Sequence, residues 1–270
     1  MKRKTLWILL PVLAAFLSLA VIFGVYDLEI SKALVNFESR FGNLFETIGM
    51  FAAPILCTLS GLALIAYVLR SRGNHFYWKL ILSILAALAG IGFHVYLCCE
   101  FSATVSLILI FLSGIFYGLC GGWLMRCDIA LLKKLMRIAL ISIFYMLAML
   151  LVINGIKYPW GRWRFREMDE SLAQFTPWFF PQGFTGHRSF PSGHTANAAI
   201  SWSLTLLAPL FQVRWKKSLC YLIPSLWIFT VAFSRIIVGA HFASDVLFGA
   251  GISIALFYLV RFLVNRKLPE

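Results

Sequence analysis

Charged residues are scarce in this 270-residue chain. They make up only 13% of the sequence, whereas hydrophobic residues make up 61% and the mean hydropathy is +0.85. A soluble domain of this size could not keep so apolar a surface in water. The sequence also lacks the short alternating strands of a membrane β-barrel, any internal repeat and any low-complexity linker. These absences favour a single helical domain, residues 1–270, inside a membrane.

Metal-binding patterns are also absent from the sequence. It has six cysteines but no Cys-x-x-Cys pair, and no histidine lies at zinc-site spacing. Most of the cysteines fall within or at the ends of apolar stretches, which predicts free thiols packed as small apolar groups. We therefore expect no metal and no cofactor.

Eight apolar stretches approach the roughly 20 residues that a helix needs to cross a bilayer. Since lipid offers no partners for backbone N–H and C=O groups, such stretches must be helical. The predicted fold is therefore all-α, a polytopic bundle of about eight transmembrane spans. The stretches lie near residues 6–26, 50–69, 80–97, 103–125, 138–156, 196–213, 219–237 and 246–264.

The basic residues predict how this bundle is oriented. The net charge is +13, and five basic groups fall on one side if the spans alternate: 2–4, 70–79, 126–137, 214–217 and 261–267. The positive-inside rule assigns that side to the cytoplasm, which explains the basic excess without nucleic acid. The first stretch is too long for a signal peptide and lacks a small-residue cleavage site. We expect a bacterial inner-membrane protein with both termini in the cytoplasm.

The segment after the first stretch has one apolar face. Leu34, Phe37, Phe41, Leu44 and Ile48 recur at three- and four-residue spacing, which predicts an amphipathic helix. It could lie in the outer membrane interface or serve as a packed connector.

Two segments on the opposite side, 157–194 and 234–245, hold a cluster of imidazoles and cations. Such a cluster is suited to binding an anion, with phosphate the obvious candidate. The residues are Lys157, Arg162, Arg164, Arg166, His187, Arg188, His194, Arg235 and His241.

Two short patterns in these segments suggest specific chemistry. Ser192 is a preferred helix N-cap, and Gly193 permits close approach of a phosphate, which His194 could then reach. Asp245 follows His241 by four positions, so both share one helix face if that helix has begun. A carboxylate that holds one imidazole nitrogen leaves the other nitrogen free to attack. The plainer interpretations are an ordinary helix start and an unrelated interfacial histidine.

Together the patterns resemble the three motifs of the type-2 phosphatidic acid phosphatase family. Lys157 and Arg164 match the first motif, but Phe165 stands where the family has proline. The second motif, Pro-Ser-Gly-His, is matched at 191–194. The third, Ser-Arg, five residues, His, three residues and Asp, is matched by Ser234, Arg235, His241 and Asp245. The resemblance covers 157–245, and we expect a catalytic core at about 138–264.

The resemblance implies a role for each matched residue. His241 would attack phosphorus and form a phosphohistidine, Asp245 would orient it, and His194 would protonate the leaving group and later activate water. The phosphate oxygens would be held by Lys157, Arg164, Ser192, Gly193 and Arg235. Outside the strict motifs, Arg162, Arg166, His187 and Arg188 are possible headgroup contacts.

The implied function is hydrolysis of a lipid phosphate or diphosphate at the outer face of the membrane. Candidate substrates are undecaprenyl diphosphate, phosphatidylglycerol phosphate, phosphatidic acid and lipid A 1-phosphate. Because the same residues serve phosphate transfer to another lipid, a lipid phosphotransferase is the main alternative. A non-catalytic transporter or scaffold is a further one. No motif predicts the oligomeric state.

Overall fold

The computed structural model describes residues 3–267, and within that range it contains only helices and connecting segments. The all-α prediction is therefore confirmed. The α-helices are α1 (Arg3–Leu34), α2 (Arg40–Ile48), α3 (Ala52–Ser71), α4 (Phe76–Cys98), α5 (Ala103–Arg126), α6 (Ile129–Trp160), α7 (Gly193–Ala199), α8 (Arg214–Ile237) and α9 (Ala243–Lys267). Two 3-10 helices, Phe165–Glu167 and Ile200–Leu210, complete the set.

Seven helical stretches in the described range are long and apolar enough to cross a membrane, with α2 and α3 counted together. The remaining predicted span, 196–213, is instead α7 followed by the long 3-10 helix Ile200–Leu210. Because a 3-10 helix rises about 2 Å per residue, these two elements together reach roughly 30 Å, about the thickness of the hydrocarbon core. Hydroxyls of Ser201 and Thr205 donate to carbonyls three residues earlier, which fits the tighter turn.

The predicted amphipathic segment is not one helix. α1 continues to Leu34, and α2 begins only at Arg40, after Ser39 accepts a hydrogen bond from the Gly42 amide. A Cβ at Gly42 would lie 2.2 Å from the Val238 side chain, so glycine is needed for α2 to approach the end of α8. Leu34 and Phe37 thus lie outside α2, and the interfacial position of α2 stays a prediction.

Close contacts between α7 and α9 position the start of α7. The Ser192 amide donates to the Asp245 carbonyl at 2.9 Å. A Cβ at Gly249 would lie 2.5 Å from the Ser192 carbonyl oxygen, so α9 can approach this closely only with glycine there. Below this contact, the Tyr145 hydroxyl of α6 donates to the Ala199 carbonyl at 3.0 Å and lies 2.7 Å from the Ser253 hydroxyl.

Candidate active site

His241 and Asp245 lie where the turn after α8 enters α9. Both are buried, and His241 Nδ1 is 3.7 Å from Asp245 Oδ2, which is slightly longer than a hydrogen bond. The same carboxylate oxygen accepts from the Ser189 hydroxyl at 2.5 Å and from the Phe242 amide at 2.9 Å. His241 Nδ1 has no hydrogen-bond partner. The Asp245 carboxylate is therefore fixed next to an imidazole nitrogen that can turn towards it.

His194 is the second residue of α7 and faces His241, with 6.5 Å between the two ring centroids. Its Nε2 lies 3.2 Å from the Glu46 carbonyl oxygen at the end of α2. A carbonyl can only accept, so this contact places the proton on Nε2 and leaves Nδ1 as the nitrogen with a lone pair. The fold thus brings together two histidines that are 47 positions apart in the sequence.

Burial and neighbouring cations keep both imidazoles neutral. The pKa of His241 is lowered to about 3, chiefly by burial and further by Lys157 and Arg164, against the opposing effect of Asp245. The pKa of His194 is lowered to about 4, chiefly by burial and further by Arg235 and Lys157. A lowered pKa means that the neutral form predominates above that value, so both rings are unprotonated near pH 7.

The other residues of the second motif directly precede His194 at the start of α7. Ser192 caps α7 by accepting from the Thr195 amide at 3.3 Å and the Thr195 hydroxyl at 3.0 Å, and neither bond uses its own hydrogen. Lys157 reaches this point from the end of α6, since a Cβ at Gly193 would lie 3.4 Å from its Nζ. Lys157, Ser192 and Gly193 therefore lie together.

The two motif arginines differ in how their nitrogens are paired. Arg164 Nη1 donates to Glu167 at 3.0 Å, whereas its Nε is buried without a partner. Arg235 is fully buried, and its guanidinium donates to the Gly42 carbonyl and to the Ser234 hydroxyl. Its Nη1 lies 3.4 Å from the Glu46 carboxylate. Arg235 is thus turned towards α2.

The turn after Arg164 accommodates the residue that replaces proline. Arg164 is extended (φ −86°, ψ 151°), and Phe165 begins the first 3-10 helix. The first position of a helix suits proline, because no intrahelical partner is needed there for its backbone nitrogen. The Phe165 ring instead packs against Phe37 and Phe242, at centroid distances of 6.5 and 6.4 Å.

The prediction that Arg162 contacts a lipid headgroup is wrong. Its side chain is fully buried, and its guanidinium donates to Asp245 at 2.6 Å, Asp27 at 2.9 Å, and the Ser244 hydroxyl and Thr176 carbonyl, both at 2.9 Å. A group so enclosed has no surface left for a lipid headgroup. Arg162 is instead the counter-ion of two buried carboxylates.

The other three candidate headgroup contacts lie at the rim and already have partners. Arg166 lies 3.3 Å from the Glu46 carboxylate. His187 stacks on Trp163 with a centroid distance of 3.3 Å, and its Nδ1 is 3.2 Å from Glu167. The exposed Arg188 lies over the Tyr158 ring at 4.2 Å.

Sequence reasoning missed the two acidic residues that the N-terminal helices contribute to this site. Asp27 of α1 is fully buried and accepts from the Ser244 amide at 2.9 Å as well as from Arg162. Glu46 of α2 approaches both Arg166 and Arg235. Asp27 could have been found from the sequence, because an ionisable residue at the end of an apolar span is expected to have a charged or hydrogen-bonding partner.

The structure thus defines a polytopic helical membrane protein with a buried cluster of histidines, carboxylates and cations at one end. The family model described as the PAP2 superfamily matches residues 138–269, just under half of the chain, and this segment is similar to that family. Phosphatidylglycerophosphatase B of Bacillus subtilis (strain 168) is 33% identical over 99 residues, or 35% of this chain and 48% of that protein. The match therefore spans about half the length of this relative. No solved structure gives a significant match.

Proposed function

We propose that this chain is a membrane lipid phosphatase that acts through a phosphohistidine. The observation that carries the proposal is the buried pair of neutral imidazoles, His241 and His194, with ring centroids 6.5 Å apart beside Asp245. Phosphoryl transfer requires a nucleophile and a proton donor on opposite sides of phosphorus, together with positive charge around its oxygens. The family match and the B. subtilis relative, which is named for a lipid phosphate, support the same chemistry.

The first step forms a bond between His241 and phosphorus. With its Nδ1 proton directed to Asp245, His241 attacks through Nε2, and the bond from phosphorus to the lipid oxygen breaks. His194 gives that oxygen its proton from Nδ1, while the contact of its Nε2 with the Glu46 carbonyl holds the ring. A bound phosphate raises the pKa of His194 through its negative charge, which allows His194 to carry this proton.

The second step hydrolyses the phosphohistidine. His194 is then neutral, and its Nδ1 takes a proton from water as the water oxygen attacks phosphorus. The bond between phosphorus and His241 Nε2 breaks, and the departing phosphate takes the proton from His194 Nδ1, which restores both neutral rings. If a lipid hydroxyl attacked in place of water, the product would be a new phosphorylated lipid.

Lys157, Arg164, Ser192 and Gly193 hold the phosphate oxygens in this proposal. The unpartnered Nε of Arg164 and the free hydroxyl hydrogen of Ser192 are available donors. Arg235 Nη1 also has no hydrogen-bond partner, although the Glu46 carboxylate lies 3.4 Å away, and it would exchange this ion pair for a phosphate oxygen. We propose this exchange as part of substrate binding, because Glu46 is half-buried and can turn away.

An apolar groove supports a lipid as the substrate. It has a volume of about 510 Å³ between α2, α3, the long 3-10 helix and α8, and it is lined by Phe45, Phe51, Leu204 and Trp227 among others. Phe45 directly precedes Glu46, so the groove begins beside the phosphate site. A hydrocarbon chain could lie in the groove while its phosphate reaches His241.

The proposed location of the site is the periplasmic or extracellular face of the inner membrane. The basic groups at the opposite helix ends support this through the positive-inside rule. Among the candidate lipids, phosphatidylglycerol phosphate is favoured by the name of the B. subtilis relative. Undecaprenyl diphosphate, phosphatidic acid and lipid A 1-phosphate fit the same chemistry.

The test is phosphate release by the purified chain in detergent, on a panel of these four lipids. We expect release from at least one lipid, and its loss in both His241→Asn and His194→Asn. His75→Asn, at the opposite end of the bundle, is the matched control and keeps wild-type turnover. Labelled phosphate should be trapped on wild type under alkaline quench and not on His241→Asn. Wild-type turnover by a folded His241→Asn protein would refute the mechanism, and labelled lipid without free phosphate would indicate a transferase.

A further inference from the structure

A second charged cavity lies at the other end of the bundle. It has a volume of about 530 Å³ and lies between the first turns of α6, the end of the long 3-10 helix and the last turns of α9. Lys133, Lys134, Arg137 and Arg261 line it, together with apolar residues that include Ile141 and Leu206. We call it the basic cavity.

The basic cavity is separate from the candidate active site. On α6, Lys133 precedes Lys157 by 24 positions, which corresponds to roughly 36 Å along the helix. On α9, Arg261 follows Asp245 by 16 positions, or roughly 24 Å. The two sites therefore share two helices but lie at opposite ends of them.

The charged side chains that line the basic cavity all carry the same sign, within the range that the structure describes. No acidic residue is among the described residues that line it. Asp128, the acidic residue nearest in the sequence, caps α6 by accepting from the Leu131 amide at 2.7 Å. A hydrogen bond connects α6 and α9 across the cavity, because Arg137 Nε donates to Asn265 Oδ1 at 3.0 Å. Lys133, Lys134 and Arg261 are exposed, so their cationic groups are accessible.

We propose that the basic cavity binds an anionic phospholipid, with the phosphodiester at the cationic rim and an acyl chain against the apolar wall. The mixed lining favours an amphiphile over a free anion, since Ile141 and Leu206 extend the cavity towards the membrane interior. Basic pockets between transmembrane helices are suited to such headgroups. A general attraction to the membrane surface does not need a cavity, and exposed Arg214 and Lys217 at the same end lie outside it.

The test compares lipid binding by the purified full chain and its variants, using native mass spectrometry in detergent. The probes are phosphatidylglycerol and phosphatidylcholine with identical acyl chains, because neither offers a phosphate monoester to the candidate active site. We expect at least one phosphatidylglycerol to bind in clear preference to phosphatidylcholine. Since each basic residue near an anionic lipid contributes roughly fivefold, the double variant Lys133→Gln/Arg261→Gln should lose about tenfold or more of that preference.

The control is Arg214→Gln/Lys217→Gln, which removes the same charge from the same end outside the basic cavity. It should keep the preference within about twofold. An equal loss in both double variants, or no preference in the wild type, would overturn the proposal. Displacement of bound phosphatidylglycerol by 10 mM inorganic phosphate, roughly the level that occupies weak anion sites, would also overturn it in favour of a free anion. None of these outcomes bears on phosphate release at the opposite end.

Discussion

The two ends of α6 and α9 carry charge in opposite ways. If the helices alternate, the end with the candidate active site holds eight of the 24 basic and nine of the 11 acidic residues, and the other end holds the rest. The site end is thus close to neutral, and the cations nearest the candidate catalytic residues, Arg162, Arg164 and Arg235, have carboxylates within ion-pair distance. The net positive charge lies entirely at the other end, where Lys133, Lys134 and Arg261 are exposed.

This contrast shows that the net positive charge and the candidate catalytic residues are located at different ends of the protein. In the proposed mechanism, phosphate competes with the Glu167 and Glu46 carboxylates for Arg164 and Arg235, so these acidic partners affect binding. At the other end, loss of one charge leaves neighbours of the same sign. We therefore expect single substitutions to have large effects at the site end and small effects at the other end.

The largest effect is expected from Asp245→Asn. The neutral amide cannot stabilise a positive charge on His241 as the carboxylate does. It also leaves Arg162 with one carboxylate partner instead of two. By comparison with other carboxylate–histidine pairs, we expect kcat to fall by about 10³-fold or more. Phosphate release under saturating lipid measures it. Asp128→Asn at the other end is the matched control, because asparagine also caps a helix, and it should leave kcat within about twofold. Comparable losses in both variants would contradict the contrast between the two ends.

A smaller loss is expected from Asp27→Asn, because Asp27 acts on His241 only through Arg162 and Asp245. Without the Asp27 charge, Arg162 neutralises Asp245 more fully, and Asp245 then stabilises a positive His241 less well. We expect kcat to fall roughly 10- to 100-fold with little change in KM. The rate of phosphohistidine formation in a single turnover should fall by the same factor.

Asp27→Glu separates this positioning role from a structural one. It restores the charge, so it should recover part of the lost kcat, whereas a purely structural role would leave it no better than Asp27→Asn. Thermal unfolding in detergent checks that both variants are folded. An unchanged kcat in folded Asp27→Asn would show that Asp27 does not position the catalytic pair.

Much of the fold was predictable because lipid forces every long apolar stretch to be helical. The break at residues 200–210 was not predictable, since its apolar composition suits an α-helix and a 3-10 helix equally. α2 was misjudged for a similar reason. Periodicity identified an apolar face, but the helix boundary depends on the Ser39 cap and on the approach of Gly42 to α8.

The motif residues of the candidate site were predictable because each of the three motifs is short and carries recognisable spacing. Asp27 and Glu46 were not, because they come from helices without motifs. Asp27 bonds to Ser244, 217 positions away, and only the packing of α1 on α9 creates that contact. Arg162 was wrongly predicted to contact a headgroup because the sequence shows only a basic residue near the membrane interface. It does not show the two carboxylates that surround Arg162 in the fold.

The pH dependence of kcat/KM tests the neutral state of the two histidines. With pKa values of about 3 and 4, neither His241 nor His194 gains a proton from solvent above about pH 5. The proton for the leaving group then enters with the substrate, whose second phosphate pKa is roughly 6. For a lipid phosphate monoester, kcat/KM should fall about tenfold per pH unit above roughly pH 6 and stay level between about pH 4 and 6. A fall on the acid side near pH 6 would show that His241 has an ordinary pKa.

The smallest effect is expected from Glu46→Gln, which removes the carboxylate that competes with phosphate for Arg235 and Arg166. Since the Glu46 backbone carbonyl still holds His194, kcat should change little. KM should fall a few-fold, because phosphate no longer displaces a like charge. Initial rates over a range of surface concentrations of lipid measure this. Glu38→Gln, in the exposed segment before α2, is the control and should leave KM unchanged. A higher KM in Glu46→Gln would mean that Glu46 aligns the two arginines for the phosphate and does not compete with it.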